Sequence, residues 1–342
     1  MAQKTPSILI RTDGNNLIGL GHVYRCIALS QKLKKKGAKI NFLVGSNPRI
    51  IKKLKTYGKC YISNNIEEDE IQLINKINPD IIFIDLLKKF FPYSNSYFKR
   101  IRKLTQLLVT IDFSGKEVIY ADLSFYSLFK PKIKNSKKIF YGLKYAIIRD
   151  EFHLYRQKFF VKKNVKSILI LQGGSDSNLI SLNILNAIND FDNKISFTLI
   201  VGSEFKGWNQ LNYFRKKIKN IKILHNVRNI FEIMVKNDIV ISAAGNTLIE
   251  SLYLGIPTII VCAEKHELYI AKFVSEKNLA KNLGVGSNIT KRKLLSTVEN
   301  FIEDFQMRKN LNKKSKCEVD GKGVSRIANM VFKYYKNLRT ND

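Results

Sequence analysis

The sequence predicts an α/β protein made of two successive domains, each a parallel sheet with helices on both faces. Three observations predict it. Short runs rich in Ile, Val and Leu alternate with amphipathic stretches of helical length through the first half. The alternation lapses around residues 149 to 166 and then restarts. Two glycine-rich turns, one in each half, stand where a strand runs into a helix. A chain of 342 residues accommodates two domains of ordinary size, and a hydrophobic fraction of 45% lets each bury a core.

In the first half the expected strands are Ser7–Ile10, Ile40–Val44, Cys60–Ser63, Asp80–Ile84, Leu108–Asp112 and Lys138–Tyr141, with helices at Val23–Lys36, Pro48–Tyr57, Glu67–Ile77 and Tyr93–Leu107. Arg149-Asp150-Glu151-Phe152-His153 leads into the basic, irregular Lys158–Lys166, read as a linker. Strands then follow at Ser167–Leu171, Ile195–Val201, Ile221–Leu224, Asp238–Ser242, Thr258–Cys262 and Leu279–Leu283. Helices are expected at Asn178–Asn189, Asn209–Lys217, Asn229–Asn237, Thr247–Leu254, Glu267–Lys277 and Arg292–Phe305, and a last helix at Val324–Leu338 closes the chain. Strands alternating with such helices make right-handed crossovers and a doubly wound sheet. The domains are thus 1–155 and 165–320, two Rossmann-like halves, with 321–342 as a C-terminal helix. Ligands of open parallel sheets bind beyond the carboxyl ends of the strands. A cleft between two facing domains suits a two-part ligand, with one half holding a nucleotide and the other the reacting group.

Lys and Arg total 59 against 28 Asp and Glu, a formal charge of +31. The lysines are dispersed, with no nucleic-acid-binding module among them, so no nucleic-acid partner is expected. The charge leaves peripheral contact with an anionic membrane open. No apolar run approaches the roughly 18 residues of a membrane span. Cys26, Cys60, Cys262 and Cys317 form no CxxC pair and read as reduced thiols. With Met-Ala-Gln-Lys-Thr-Pro running straight into a strand, a cytoplasmic protein is expected. No metal-ligand spacing and no cofactor fingerprint is present. Gly19-x-Gly21 lacks the third glycine of the dinucleotide motif, and Walker A is missing.

Four stretches carry chemistry. The first is Arg11 to Arg25, where Ile8-Leu9-Ile10 gives way to Asp13-Gly14 and then Gly19-Leu20-Gly21-His22. A helix N-terminus suits a phosphate, and histidine is the side chain suited to general-base work near neutrality. The same residues also read as a tight turn with a capping histidine. The second is Gln172-Gly173-Gly174-Ser175-Asp176, either a phosphate-approaching turn or a plain turn with Asp176 or Ser177 as cap. The third is Asp238 to Gly255, where Glu250 could accept from a ribose diol, or Thr247 and Glu250 could form a capping box. The fourth is Cys262-Ala263-Glu264-Lys265-His266-Glu267 at the next strand end, where His266 or Glu267 faces a ligand or starts a helix. His153 and His225 read as surface or core residues, with His225-Asn226 at the same rim.

Together these stretches resemble a known family. Arg11-x-Asp13-x5-Gly19-x-Gly21-His22-x2-Arg25 resembles the opening of the PseG/SpsG nucleotide-sugar hydrolases of pseudaminic acid and surface-polysaccharide pathways. Tyr145–Phe152, with Arg149 inside it, resembles that group's lead into its second domain. Ser242–Glu250 with Gly255-Ile256-Pro257 resembles the nucleotide-binding half shared with the GT-B-like fold of MurG. The resemblance implies two Rossmann-like domains facing across a cleft and hydrolysis of a UDP-linked diacetamido-trideoxyhexose. His22 would activate water at the anomeric carbon with inversion. It further implies substrate contacts from Arg11, Asp13, Gly19, Gly21, Arg25, Asp85, Arg149, Gly173, Gly174, Ser242, Gly245, Asn246, Thr247, Glu250, His266 and Glu267. Two positions depart from the family pattern. Asp85-Leu86-Leu87 stands for Asp-His-Tyr, and His266-Glu267 for Asn-Gln.

A glycosyltransferase of the same fold, with His22 deprotonating an acceptor hydroxyl, is the alternative, and an altered binding or scaffolding member of a polysaccharide locus is a third reading. Leu86-Leu87-Lys88-Lys89-Phe90-Phe91-Pro92 would serve a transferase as an apolar, basic patch, or it is a helix start or buried crossover. The sugar, the nucleotide base and the oligomeric state do not follow from these residues.

Overall fold

A computed structural model of the chain describes residues 5–15, 19–86, 88, 93–131, 138–174, 176–189, 191 and 194–340. The chain divides into two compact units, one formed by the residues up to Arg149 and from Gly321 onward, the other by Asp150–Asp320.

Unit 1 runs β1 (Ser7–Thr12), α1 (Gly21–Lys35), β2 (Lys39–Val44), α2 (Pro48–Lys55), β3 (Lys59–Ile62), α3 (Glu67–Ile77), β4 (Ile81–Asp85), α4 (Asn95–Lys103), β5 (Leu107–Ile111), β6 (Leu123–Tyr126) and β7 (Ile139–Tyr141). The strands are parallel, in the order β3-β2-β1-β4-β5-β6-β7. Successive side chains leave a strand on opposite faces, which divides the core in two. Ile8, Ile10, Phe42, Phe83 and Val109 pack with Val23, Cys26 and Leu29 of α1. Leu9, Leu43, Ile82, Ile84 and Leu108 pack with Ile71 and Ile74 of α3 and Tyr97, Phe98 and Ile101 of α4. Burial on both faces is why these strands read as apolar runs, and each such side chain adds roughly 1.5–3 kcal/mol. The strand β6 was not expected. Its four residues include Ser124, whose hydroxyl accepts from Thr110 Oγ1 at 2.8 Å, so a satisfied polar pair interrupts the apolar signal. The helix α4 is shorter than Tyr93–Leu107, since Tyr93 is buried ahead of it and Leu107 already belongs to β5.

Unit 2 runs α5 (Asp150–His153), β8 (Ser167–Leu171), α6 (Ile180–Ile188), β9 (Ser196–Val201), α7 (Trp208–Lys217), β10 (Ile221–His225), α8 (Ile230–Lys236), β11 (Ile239–Ser242), α9 (Asn246–Leu254), β12 (Thr258–Cys262), α10 (Leu268–Glu276), β13 (Lys281–Val285), α11 (Lys291–Glu303) and α12 (Phe305–Glu318). Its parallel sheet has the order β10-β9-β8-β11-β12-β13. Ile168, Ile170, Leu199, Ile241 and Val261 pack with Ile184 and Leu185 of α6 and Val298 and Phe301 of α11. The strand β13 begins at Lys281 rather than Leu279 because Asn278 turns the chain through φ 54°. The helix α12 was not foreseen either. Asp304 ends α11, and its carboxylate accepts from Met307 N at 2.8 Å to start the next helix. The closing helix α13 (Gly323–Thr340) returns to unit 1. Its Val324, Ile327, Ala328, Val331 and Tyr335 complete the core on the α1 face.

Each sheet reverses its strand order once, between β1 and β4 in unit 1 and between β8 and β11 in unit 2. Crossovers leave such a point toward opposite faces and open a crevice at the carboxyl ends. The register sets Thr12 beside Asp85 at the first point and Leu171 beside Ser242 at the second. Among the described residues, no helix is long and apolar enough to cross a membrane.

Candidate functional site

At the switch point of unit 1 the chain leaves β1 through Asp13 and enters α1 at Gly21. Gly19 donates from its N–H to the carbonyl of Asn15 at 2.8 Å and adopts φ 73°, a conformation that costs a side-chain-bearing residue far more than glycine. Leu20 precedes the helix and supplies no side-chain cap, so nothing from that residue covers the first-turn amides. His22 follows in the first turn, with its side chain 11% exposed.

The carboxylate of Asp85, at the end of β4, lies 2.6 Å from His22 Nδ1. Arg25 NH2 approaches the same nitrogen at 3.2 Å. Both are potential partners, and the shorter contact to a carboxylate decides it: Nδ1 carries the proton and donates to Asp85, which leaves the lone pair on Nε2. Arg25 lies one helical turn on from His22. Its Nε donates to Asp85 Oδ2 at 2.8 Å, its NH2 donates to Asp85 Oδ1, and its NH1 donates to Asp112 Oδ2 at 2.6 Å. Cys26 Sγ adds a weak donation to Asp85 Oδ2 at 3.2 Å. Burial by itself pushes the Asp85 carboxyl up, but the Arg25 charge and then His22 outweigh it and hold the group well below the usual carboxylate range. For Cys26, burial first and the Asp85 charge second push the thiol well up, so it stays a neutral donor. A carboxylate-held imidazole whose second nitrogen has no hydrogen-bond partner among the described residues can take a proton from a hydroxyl or from water.

The remaining expected residues of unit 1 separate into three placements. Asp13 stays partly exposed and accepts from Gly14 N at 2.8 Å. Arg11 is 1% exposed and ion-paired with Glu70 at 2.9 Å, so its guanidinium lies inside the domain and not at its surface. Arg149 stacks over the Tyr24 ring at 5.0 Å; Lys53 lies over the same ring at 4.5 Å and donates to its hydroxyl at 3.1 Å. Of the apolar patch at 86–92, Leu86 is buried and Lys88 pairs with Glu117, while Leu87 and residues 89–92 lie outside the described residues. Asp112 and Glu70 were not anticipated. Asp112 had a signal, since it stands just past β5 as Asp85 stands at the end of β4; Glu70 lies within a helix and had none.

In unit 2, Gly173 and Gly174 follow β8 and are exposed, while Ser175 lies outside the described residues. Gly202, after β9, runs so close that a Cβ there would collide with the Gly174 carbonyl, which makes glycine obligatory at 202. Asp176 accepts from Ile180 N at 2.8 Å and Ser181 N at 3.0 Å, tying the turn to the start of α6. Ser242 is buried and donates to the Ala243 carbonyl at 3.1 Å. Gly245 is the residue before α9, and Asn246 and Thr247 are its half-exposed first residues. The capping box that stood as the alternative for Thr247 and Glu250 does not form, because the cap position falls on Gly245. Glu250 is therefore the fifth helical residue, buried in the second turn. Glu267 accepts from Ala263 N at 2.7 Å and Ala244 N at 3.3 Å, joining the turn after β12 to the one after β11. His266 is half exposed against Glu264 at 3.1 Å. His153 meets the Tyr253 hydroxyl at 2.5 Å, and His225 lies edge-on to Trp208. Among the described residues, no group of three His, Cys, Asp or Glu side chains is placed to hold a metal ion.

Comparisons with known proteins follow this division. Residues 167–330 match the glycosyltransferase family 28 C-terminal domain. An uncharacterized protein of Methanocaldococcus jannaschii is 32% identical over 273 residues, covering 74% of this chain and 55% of that protein, so the chain spans about half the length of this relative. The spore coat polysaccharide biosynthesis protein SpsG of Bacillus subtilis is 22% identical over 339 residues, covering 96% of this chain and 98% of SpsG. Among solved structures, Acinetobacter baumannii MurG superposes with a TM-score of 0.69 at 14% identity, covering 96% of this chain and 99% of MurG. The chain thus has two parallel-sheet α/β domains of the GT-B glycosyltransferase fold, the second matching the family 28 C-terminal domain.

Proposed function

We propose that this protein is a nucleotide-sugar-dependent glycosyltransferase of surface-polysaccharide synthesis, with His22 as its base. The carrying observation is the 2.6 Å contact from His22 Nδ1 to Asp85 at the switch point of unit 1, which frees Nε2 to accept a proton. The match of residues 167–330 to a glycosyltransferase domain and the full-length similarity to a polysaccharide biosynthesis protein support this reading over simple hydrolysis. In the reaction, Nε2 takes the proton of an acceptor hydroxyl as its oxygen bonds to the anomeric carbon. The bond from that carbon to the diphosphate breaks, and its electron pair leaves with the nucleotide, inverting the anomeric centre. The start of α1, where Leu20 supplies no side-chain cap, favours the departing charge. In unit 2, the open glycine turn at 173–174 and the α9 N-terminus at Gly245, Asn246 and Thr247 suit a diphosphate, and Glu250 a ribose diol. UDP is the nucleotide we assign.

One observation favours hydrolysis as a second reading. With only 11% of its side chain exposed, His22 admits water more readily than a bulky acceptor. The two are separated by incubating the protein with a panel of UDP- and CMP-sugars. Free sugar released without an acceptor supports hydrolysis, and release only on adding a glycan or lipid acceptor supports transfer. Absence of both release and nucleotide-sugar binding would sink each of them.

A further inference from the structure

Asp112 makes no contact with His22, yet it completes the buried charge set behind it. It sits just beyond β5 at φ 48° and is 4% exposed. Four donors converge on its carboxylate: Arg25 NH1 at 2.6 Å, Ser127 N at 2.7 Å, Ser127 Oγ at 2.8 Å and Leu128 N at 3.3 Å. Arg25 therefore bridges two carboxylates, Asp85 and Asp112. The titratable and charged groups joined to the imidazole are Arg25 and Cys26 of α1, Asp85 of β4 and, through Arg25, Asp112 after β5. With the thiol neutral, the sum without His22 is one guanidinium against two carboxylates. A lone Arg25–Asp85 pair would cancel, and a neutral pair gives an imidazolium little support. The second carboxylate restores one negative charge in a poorly screened interior, and the proton taken up by His22 makes the set neutral.

We propose that Asp112 is a positioning residue that divides the Arg25 charge between two carboxylates and so keeps Asp85 an effective counter-ion for His22. The proposal rests on His22 acting as base. It also ties the turn after β6, through Ser127 and Leu128, to the strength of that base. The imidazolium formed at the transition state is stabilised by a charge the substrate never touches.

Asp112→Asn removes the charge and keeps the shape, and asparagine tolerates the left-handed backbone at this position. The His22 side-chain NMR resonance, assigned by its loss in His22→Asn, is titrated in the full chain without substrate, beside the pH–rate profile with the nucleotide sugar. In Asp112→Asn we expect the His22 titration and the acid limb of kcat/KM to move together to lower pH by roughly one unit. Plateau kcat falls on the order of tenfold, since a weaker base transfers protons less well, while KM stays within about twofold. Asp112→Glu restores both limbs. If His22 titrates as in the wild type while Asp112→Asn folds, the proposal is overturned, whatever the rate does. Should Asp112→Asn fail to fold, Ser127→Ala serves. It removes one donor from the oxygen facing Arg25, concentrates charge there, and moves both limbs to higher pH; an unmoved titration overturns the proposal equally. Turnover surviving in His22→Asn removes the base reading instead and leaves the titration as an independent test of the charge argument.

Discussion

The two switch points have the same topology and opposite electrostatics. In unit 1, Asp85 is held by guanidinium and imidazole, and its carboxyl is driven down despite burial. In unit 2, Glu267 is held by backbone N–H groups, and Asp176 by backbone N–H groups and the Ser181 hydroxyl. For both, burial is the larger influence and pushes the carboxyl up, against the Ser181 hydroxyl and then the amides at Asp176 and against the amides at Glu267. A carboxyl faced by charges is held ionised. A carboxyl faced by neutral donors shapes loops instead, beside an exposed glycine turn and the start of α9. One sheet end gathers side-chain charges and the other gathers backbone and hydroxyl donors.

Breaking the charged side should have the largest effect. His22→Asn is expected to lower turnover by roughly 10²–10⁴-fold while nucleotide-sugar binding, measured by calorimetry, stays nearly intact; unimpaired turnover would remove His22 from its role. Asp85→Asn takes the carboxylate from His22 and leaves Arg25 paired with Asp112 alone, so we expect a loss of about 1.5–3 kcal/mol in denaturant unfolding together with loss of activity. On the backbone side, Gly202→Ala forces the turn at Gly174 to move. It should cost about 1–3 kcal/mol and weaken nucleotide binding, while bound substrate still reacts through His22. Glu250→Ala is expected to weaken nucleotide affinity by about 1.5–3 kcal/mol, and a change in stability alone would make it a core residue of α9.

The smallest effect is in pH, and the two units should differ in sign. The folded Asp85 carboxyl lies below its unfolded value, so its contribution is present above about pH 4 and is lost as pH falls further. Asp176 and Glu267 lie above theirs, so the folded state binds their protons first and stability from them rises as pH drops toward about 4. Hydrogen exchange read separately over unit 1 and unit 2 checks this. Identical acid responses would erase the electrostatic distinction.

Much of this was legible in the residues. The apolar runs located most strands because both sheet faces are buried, and an element escaped where polar groups satisfied each other inside, as Thr110 and Ser124 do in β6. The loop from Asp13 to Arg25 announced itself by glycines and a histidine after a strand. Its partner was harder to see, because 63 residues separate His22 from Asp85 and 87 separate Arg25 from Asp112. Arg11 was misleading for the converse reason. It is adjacent in sequence to the loop, yet strand alternation turns it into the domain toward Glu70.

By itself the sequence determined the doubly wound halves, the turns at their strand ends and the histidine at one of them, since periodicity and turn chemistry are local properties of the chain. Only the tertiary structure decided which carboxylate the histidine meets, that Arg25 is shared between Asp85 and Asp112, and that Glu250 lies too deep in α9 to cap it. Those facts depend on strand order and register. A reversal of strand order places β1 beside β4, and one ladder step sets Thr12 against Asp85. Coulomb and hydrogen-bond energies fall off over a few ångströms, so chemistry separated by dozens of residues exists only once that register has formed.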